Sequence, residues 1–135
     1  GSLGLEALSR GATSVLAIER DRRAIAALRK NVETLGAGDK LEFVVGDALD
    51  ARRWGEAASV DLAFLDPPYP MLRDRRGRRD LLAALGRLAD EALVPGGWMV
   101  LHTHPRDLRE DDLGAGWEVD RREYGNTALW YLRRT

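Results

Sequence analysis

The chain has 135 residues, of which 44% are apolar and 32% charged, and this composition is typical of one globular domain. It contains no cysteine, which excludes disulfides, thiol chemistry and cysteine-ligated zinc, and we expect a cytoplasmic protein. The net charge of −1 gives no overall attraction to nucleic acid. No apolar run reaches the roughly 20 residues that cross a bilayer, so we expect no membrane partner.

The first residues predict a glycine turn that leads into a helix. Residues 3–10 carry apolar side chains at helical spacing, and Gly11 follows as a helix stop. Gly1 and Gly4 would let a ligand approach the backbone, while the free N–H groups at the helix start suit a carboxylate. The simpler alternative is a tight turn with nothing bound. Because neither an initiator methionine nor a strand precedes Gly1, we interpret the sequence as a fragment.

Short apolar runs then alternate with amphipathic segments. The predicted strands cover residues 14–18, 41–45, 60–65 and 98–101, and the predicted helices cover residues 22–35 and 79–93, with residues 48–58 partly helical. Asp21 is a candidate N-cap, and Pro95-Gly96-Gly97 predicts a turn. The alternation predicts one α/β domain over residues 1–135, with a Rossmann-like, mostly parallel sheet.

The last segment differs from this alternation. Residues 117–124 and 128–132 are strand-like and flank Gly125-Asn126-Thr127, which predicts an antiparallel hairpin. The hairpin would make the predicted sheet a mixed one.

Polar residues follow several predicted strands, at the edge where ligands of such sheets bind. Glu19, 18 positions after Gly1, is placed to accept hydrogen bonds from both hydroxyls of a ribose. Asp47 can accept from an adenine amino group beside the backbone of Ala48. Both residues can also be explained without a ligand, Glu19 as a helix-initiating acid and Asp47 as a helix N-cap. Such acceptors fit a nicotinamide-dependent oxidoreductase as well as a methyltransferase.

The sharpest motif is Asp66-Pro67-Pro68-Tyr69, directly after an apolar strand. Two prolines remove backbone donors and leave carbonyl acceptors. An exocyclic base amine is a poor nucleophile, and acceptance of its hydrogens by Asp66 and the Pro67 carbonyl favours a pyramidal nitrogen. Tyr69 would stack on the base and orient it. The structural alternative is a strand that ends at the prolines, with Tyr69 as a packing aromatic. A nicotinamide-dependent oxidoreductase, the other enzyme class, gives no reason for this motif.

The motif and the string Gly1-Ser2-Leu3-Gly4-Leu5-Glu6-Ala7-Leu8-Ser9-Arg10-Gly11-Ala12 resemble RsmD-type bacterial 16S ribosomal RNA guanine-N2 methyltransferases. The resemblance extends through Glu19, Asn31, Gly46-Asp47 and Tyr124-Gly125-Asn126-Thr127. It implies S-adenosyl-L-methionine as cofactor, held by Gly1, Ser2, Leu3, Gly4, Glu19, Asp47, Ala48 and Asp66. It also implies a guanine amine in 16S RNA or a small-subunit assembly particle as acceptor, and catalysis by Asp66, Pro67, Pro68 and Tyr69.

The chain also departs from this family's pattern. Members carry a strand before the glycine loop and a basic segment before that strand, and neither is present in this sequence. The strand would be central in the sheet, so its absence would leave two neighbours unpaired. We therefore expect weak or absent cofactor affinity for this stretch by itself.

The segment after the motif holds five arginines in seven residues, namely Arg73, Arg75, Arg76, Arg78 and Arg79. They would bind RNA phosphates, or they form a solvated loop or helix start. We interpret His102 and His104 as a polar pair at a strand end rather than as metal ligands, and we expect a monomer without metal. Alternative functions are amino methylation of DNA adenine or transfer RNA guanine, and a non-catalytic nucleoside- or RNA-binding module.

Overall fold

The computed structural model describes residues 2–54 and 59–135. The chain divides into two units, residues 1–54 and residues 55–135. The first unit contains parallel strands, and the second continues with a parallel pair and ends in antiparallel strands. The α/β class with an antiparallel C-terminal hairpin, predicted from the sequence, is therefore confirmed.

The first unit contains two helices and two parallel strands. Helix α1 covers Ser2–Ser9, strand β1 Val15–Glu19, helix α2 Arg22–Thr34 and strand β2 Leu41–Val45. β1 and β2 run in parallel register, with Val15 opposite Leu41 and Glu19 opposite Val45. Both strands therefore end at the same edge of their sheet. A short 3-10 helix, Ala51–Trp54, follows, and the rest of the partly helical stretch predicted at 48–58 lies outside the described residues.

Helix α2 begins where the sequence predicts. The Asp21 carboxylate accepts a hydrogen bond from the Arg23 N–H at 2.9 Å, which satisfies one of the free donors of the first turn. The buried face of the helix carries Ile25, Leu28 and Val32, spaced three and four residues apart. Leu28 and Val32 pack with Leu41 of β2, so this helix covers the two-stranded sheet.

The second unit contains four strands in the order β3-β4-β6-β5. β3 covers Val60–Leu65, α3 Tyr69–Arg73, α4 Arg75–Glu91, β4 Leu93–Thr103, β5 Trp117–Tyr124 and β6 Thr127–Arg134. β4 is parallel to β3 and antiparallel to β6, which is itself antiparallel to β5. The hairpin turn is shorter than predicted, because Thr127 already belongs to β6 and Gly125 supplies the positive φ of 59° that the two-residue turn needs.

The predicted turn at Pro95-Gly96-Gly97 is wrong. One strand, β4, runs through these residues, and its register against β3 shifts between the pairs Val60–Leu93 and Leu62–Trp98. The additional residues form an irregularity in the strand, where Gly96 has a φ of 78° and Pro95 needs no ladder donor. The proline-glycine signal therefore marks a distortion of the strand rather than its start.

The predicted helix over residues 79–93 is also displaced. α4 begins four residues earlier and ends at Glu91, and a separate short helix, α3, precedes it. The Asp74 carboxylate accepts a hydrogen bond from the Gly77 N–H at 3.0 Å and caps α4. The first turn of α4 is rich in arginine and has no apolar stripe, so apolar periodicity places the start too late.

The core of the second unit lies between α4 and the sheet. Leu81 and Leu85 of α4 and Met99 and Leu101 of β4 are almost fully buried. Thr103 is buried on the same face of β4, and its hydroxyl accepts a hydrogen bond from the Trp130 Nε1–H at 2.9 Å. Side chains alternate along a strand, so His102 lies on the opposite face from these anchored neighbours.

Among the described strands, β1 pairs only with β2, and β3 pairs only with β4. The strand expected before the glycine segment stays a prediction. Within the part of the chain that the structure describes, no helix is long and apolar enough to cross a membrane.

The junction of α3 and α4 gives a stability prediction. A Cβ added at Gly77 would lie 2.4 Å from the backbone oxygen of Met71, whereas a Cβ at Gly86 of the same helix meets nothing within 4 Å. We expect Gly77→Ala to lower the free energy of unfolding by about 2 kcal/mol through overpacking. Gly86→Ala should raise it by roughly 0.5–1 kcal/mol through helix propensity. Urea unfolding followed by circular dichroism measures both, and equal midpoints for the two variants would contradict the described junction.

Candidate functional site

Two polar residues lie at the carboxyl edge of the first unit's sheet. Glu19 is the last residue of β1 and lies opposite Val45, the last residue of β2. Asp47 follows Val45 by two residues. The Gly46 N–H donates to the Glu19 carbonyl at 3.0 Å, which links the two strand ends directly. The structure thus brings both predicted cofactor acceptors to one edge.

The Glu19 carboxylate is held in one orientation by its own backbone. Its Oε1 atom accepts hydrogen bonds from the N–H groups of Arg20 and Asp21, each at 2.9 Å. Carboxylate oxygens have several lone-pair sites, so these bonds leave acceptor capacity on the group. A fixed carboxylate at a strand end suits the recognition of a neutral diol.

The loop after β2 is also ordered by local hydrogen bonds. Asp47 is exposed, and its Oδ1 atom accepts from the Leu49 N–H at 3.0 Å. The carbonyl of Ala48 accepts from the indole N–H of Trp54 at 2.8 Å. Further along, the hydrogen bonds from Arg52 hold the pKa of the Asp50 carboxyl below its ordinary value. The loop therefore presents the Asp47 carboxylate from a backbone of fixed shape.

The helix predicted over residues 3–10 is present. Helix α1 covers Ser2–Ser9, so Leu3 and Gly4 lie inside it as predicted, and Ser2 belongs to the helix rather than to a turn before it. A Cβ on Gly4 would lie 2.8 Å from Cγ1 of Val15, so this glycine lets α1 pack closely on β1. Gly1 and the side chain of Ser2 lie outside the described residues. That Gly1, Ser2, Leu3 and Gly4 contact a cofactor remains a prediction.

The Asp66-Pro67-Pro68-Tyr69 motif connects β3 to α3 in the second unit. Asp66 is exposed, and its side chain keeps 64% of its accessible surface. The Pro68 carbonyl accepts from the Met71 N–H at 3.0 Å, so it belongs to the first turn of the helix. No hydrogen bond to the Pro67 carbonyl occurs within the described ranges 2–54 and 59–135. Within the described residues, Asp66 Oδ2 and the Pro67 carbonyl are therefore acceptors of the motif that have no partner; that they bind a base amine stays a prediction.

Two histidines flank this motif. His102 lies in β4, and His104 is the residue directly after that strand. Leu65 pairs with Leu101, so the next residue on each strand, Asp66 and His102, come together. The His102 Nδ1 atom lies 3.1 Å from Asp66 Oδ1. The ring of Tyr69 makes edge contacts with His102 and His104, at centroid distances of 6.4 and 6.2 Å. The sequence interpretation of a polar pair at a strand end missed these partners, which only the register of β3 and β4 could have indicated.

The opposite side of the His102 ring faces β6. Its Nε2 atom lies 3.4 Å from the hydroxyl oxygen of Thr127. Thr127 is the first residue of the last strand, directly after the Gly125-Asn126 turn. Among the described residues, no group of three histidine or carboxylate side chains is placed to hold a metal ion.

The predicted arginine cluster divides into two groups. Arg78 donates to the carbonyls of Leu72 and Asp107, and Arg73 forms an ion pair with the buried Asp107 carboxylate at 3.4 Å. These two arginines therefore anchor the loop after β4. The other three members, Arg75, Arg76 and Arg79, are exposed, and no ion pair or side-chain hydrogen bond joins them to another residue in the described part of the chain.

The anchored loop adds cationic residues that the sequence analysis did not single out. Arg106 and Arg109 line a cavity of about 240 Å³ together with Arg78, Asp107, Leu108 and Asp112. The Oδ2 atom of Asp107 is buried and has no hydrogen-bond partner among the described residues, whereas Arg73 pairs with the other carboxylate oxygen, Oδ1. The cationic surface of this unit is therefore larger than the predicted cluster.

A family model and several known proteins match this chain. The family model described as "Conserved hypothetical protein 95" matches residues 1–133. The Escherichia coli K12 protein named "Ribosomal RNA small subunit methyltransferase D" is 40% identical over 98 residues, which are 70% of this chain and 46% of that protein. The chain thus spans about half the length of this relative.

Two further comparisons cover almost the whole chain. The Bacillus subtilis protein YlbH, described as a candidate rRNA methyltransferase, is 32% identical over 136 residues, 96% of this chain and 68% of that protein. The structure of TrmN from Thermus thermophilus covers 100% of this chain and 41% of that one, with a TM-score of 0.77 and 26% identity. The chain belongs to the RsmD- and YlbH-type methyltransferase family, with the α/β fold of those enzymes.

Proposed function

We propose that this chain carries the catalytic machinery of an S-adenosyl-L-methionine-dependent methyltransferase that modifies the exocyclic amine of a guanine in 16S ribosomal RNA. The observation that carries the proposal is the exposed Asp66 carboxylate at the end of β3, with His102 at 3.1 Å and the Tyr69 ring beside it. The name of the Escherichia coli relative supports small-subunit ribosomal RNA as the substrate. The choice of guanine rests on the resemblance of residues 1–12.

The residues of the first unit fit the proposed cofactor. A nucleoside offers ribose hydroxyls and an adenine amino group as donors, and Glu19 and Asp47 are acceptors at one sheet edge. The Ala48 backbone would complete recognition of the base, and residues Gly1 to Gly4 would lie near the amino acid part. When bound, S-adenosyl-L-methionine supplies an electrophilic methyl group on a sulfonium. Asp66 belongs to the second unit, whereas Glu19 and Asp47 belong to the first. We therefore also propose that residues 1–135 act as one catalytic domain.

Asp66 and Pro67 would activate the base amine. The Asp66 carboxylate and the Pro67 carbonyl each accept one amine hydrogen, which frees the nitrogen lone pair from the ring. The charge that develops on nitrogen in the transition state then faces a carboxylate, and such stabilisation is a large catalytic term. After transfer the nitrogen loses a proton to Asp66 or water. Tyr69 holds the base by stacking, so catalysis consists of orientation and electrostatics.

The direct test is methyl transfer in vitro by the complete gene product. Purified protein, labelled S-adenosyl-L-methionine and small-subunit particles from a strain lacking the gene should give labelled N2-methylguanosine in 16S RNA. Transfer RNA and DNA serve as competing acceptors in parallel reactions. Label in either of these, and none in 16S RNA, would exclude the proposed substrate while retaining the chemistry.

The exposed arginines provide a second prediction. We propose that Arg75, Arg76 and Arg79 contact RNA phosphates, whereas Arg73 and Arg78 hold the loop. The double variant Arg75→Ala, Arg76→Ala should reduce the slope of log affinity against log salt by about 1.5, since each lost phosphate contact contributes roughly 0.7–0.9. The control is Arg87→Ala, an arginine of the same helix that is paired with Glu91 at 3.1 Å and should leave the slope unchanged. An unchanged slope in the double variant would refute the phosphate role.

A further inference from the structure

His102 lies between a carboxylate and a hydroxyl. Its Nδ1 atom is 3.1 Å from Asp66 Oδ1, and its Nε2 atom is 3.4 Å from Thr127 Oγ1. The three residues come from three elements, namely the loop after β3, the end of β4 and the start of β6. The ring is about two-thirds buried, with 32% of its side-chain surface accessible. A ring held by two strands at this position can determine how the Asp66 side chain points.

The two contacts favour one of the two neutral tautomers of the ring. A carboxylate only accepts hydrogen bonds, so a hydrogen bond across the 3.1 Å between Nδ1 and Asp66 Oδ1 has Nδ1 as its donor. A neutral imidazole has one donor and one acceptor, so Nε2 is then an acceptor, and the Thr127 hydroxyl donates to it. The chain of donors therefore runs from Thr127 through His102 to Asp66. This arrangement leaves the second Asp66 oxygen, Oδ2, available to a ligand.

Other groups around the ring do not compete for Asp66. Tyr69 contacts His102 and His104 through ring edges, and within the described residues neither Tyr69 nor His104 forms a hydrogen bond with the Asp66 carboxylate. Among the described residues, His102 is the only one with a basic side-chain nitrogen within 4 Å of the Asp66 carboxylate. Without this contact, the exposed Asp66 side chain would sample several rotamers. The free-energy cost of ordering the side chain during each turnover would then lower the rate.

We propose that His102 is a positioning residue for Asp66. It fixes Oδ1 through its Nδ1–H, aims Oδ2 at the amine of the base, and is itself oriented by Thr127. This inference rests on the proposed function, since it assigns to His102 a part in the same site. It also makes β6, and through it the C-terminal hairpin, a support of the catalytic motif rather than only an edge of the sheet.

The first test uses variants that differ in where they place a donor. The side-chain nitrogen of asparagine occupies nearly the place of Nδ1, whereas that of glutamine reaches toward the place of Nε2. With the complete gene product, His102→Ala and His102→Gln should each lower kcat of methyl transfer about tenfold. His102→Asn should recover most of this loss, and KM for the cofactor should change in none of them. Equal losses in the asparagine and glutamine variants, or wild-type kcat in the alanine variant, would overturn the positioning role.

A matched variant at the neighbouring histidine separates positioning from packing. His104→Asn removes the ring from the other edge of Tyr69 and leaves the pair of Asp66 and His102 intact. Its effect should fall on KM for RNA rather than on kcat. A fall in kcat as large as that of His102→Ala would show that both histidines act only by packing against Tyr69.

The second test does not depend on activity. Nitrogen-15 NMR at about pH 8, where a free imidazole is neutral, reports the tautomer of each histidine ring. His102 should be protonated on Nδ1, and in Asp66→Ala it should change to the Nε2–H form that free histidine favours. A wild-type Nε2–H form would overturn the inference whatever the protein methylates. The Nδ1–H form together with no methyl transfer to any nucleic acid would refute the proposed function and the catalytic purpose of the pair.

Discussion

In the complete gene product, Asp66→Ala should lower kcat of methyl transfer about a thousandfold and weaken the affinity for S-adenosyl-L-methionine by no more than about tenfold. The variant removes a preorganised charge from beside the reacting nitrogen. Removal of one such group lowers reaction rates by roughly 10²–10³. Affinity should fall less than kcat because Asp66 is one of several residues expected to hold the cofactor, and Glu19 and Asp47 remain as acceptors for the nucleoside. Single-turnover kinetics of RNA methylation and calorimetric titration of the cofactor measure the two effects separately.

A matched control lies on the same strand. Asp61 is an exposed carboxylate of β3, five residues before Asp66, and Asp61→Ala should retain wild-type kcat. Asp66→Asn keeps an acceptor oxygen without the charge, so its rate should lie between those of wild type and Asp66→Ala. If Asp66→Ala retains more than a tenth of the wild-type kcat, the carboxylate is not the activating group.

Tyr69→Ala should reduce kcat/KM for RNA between about tenfold and a hundredfold. Stacking of a base on an aromatic ring contributes roughly 1–3 kcal/mol, and this side chain is 41% exposed at the start of α3. Tyr69→Phe retains the ring and its edge contacts with His102 and His104, so it should stay within about threefold of wild type. Steady-state kinetics with varied RNA gives these ratios.

The ring of Tyr69 also packs against both histidines, and the two roles give different outcomes. If stacking on the base is the main role, the phenylalanine variant is active and the alanine variant has a raised KM for RNA. Loss of activity in the phenylalanine variant would instead assign the function to the hydroxyl, which the proposed mechanism does not use. A wild-type kcat/KM in Tyr69→Ala would contradict the stacking role.

Much of the fold follows from local patterns in the sequence. Asp21 caps α2 as predicted, the spacing of Ile25, Leu28 and Val32 gives the buried face of that helix, and the apolar run 41–45 is β2. These elements depend on interactions between residues close in sequence, which a pattern can report. The hairpin was predictable for the same reason, since Gly125-Asn126 supplies its own turn geometry.

The errors occur where a tertiary contact, or a local contact outside the apolar periodicity, sets the bounds of an element. Pro95 and Gly96 indicate a turn, yet they lie within β4 as an irregularity, because the residues before and after them pair with β3. The early start of α4 depends on the Asp74 cap and on the close approach of Met71 to Gly77. Neither contact has a periodic signature, so the helix start was placed too late.

The candidate site shows the same division. Asp66 to Tyr69 could be identified from the chemistry of two prolines after a strand, and Glu19 and Asp47 from their places after apolar runs. The pairing of Asp66 with His102 could not, because it requires the register that sets Leu65 opposite Leu101. The engagement of Arg78 with the carbonyls of Leu72 and Asp107 likewise depends on the folded loop, so the sequence could not separate anchoring from exposed arginines.

Nucleoside mass spectrometry of 16S ribosomal RNA is the most direct test of the proposed function. The RNA is taken from a strain that lacks the gene and from the same strain complemented with the wild-type gene or with Asp66→Ala. We expect one N2-methylguanosine to be missing in the deletion, restored by the wild-type gene and not restored by the variant. An unchanged set of methylguanosines in the deletion strain would contradict the proposed activity on 16S RNA.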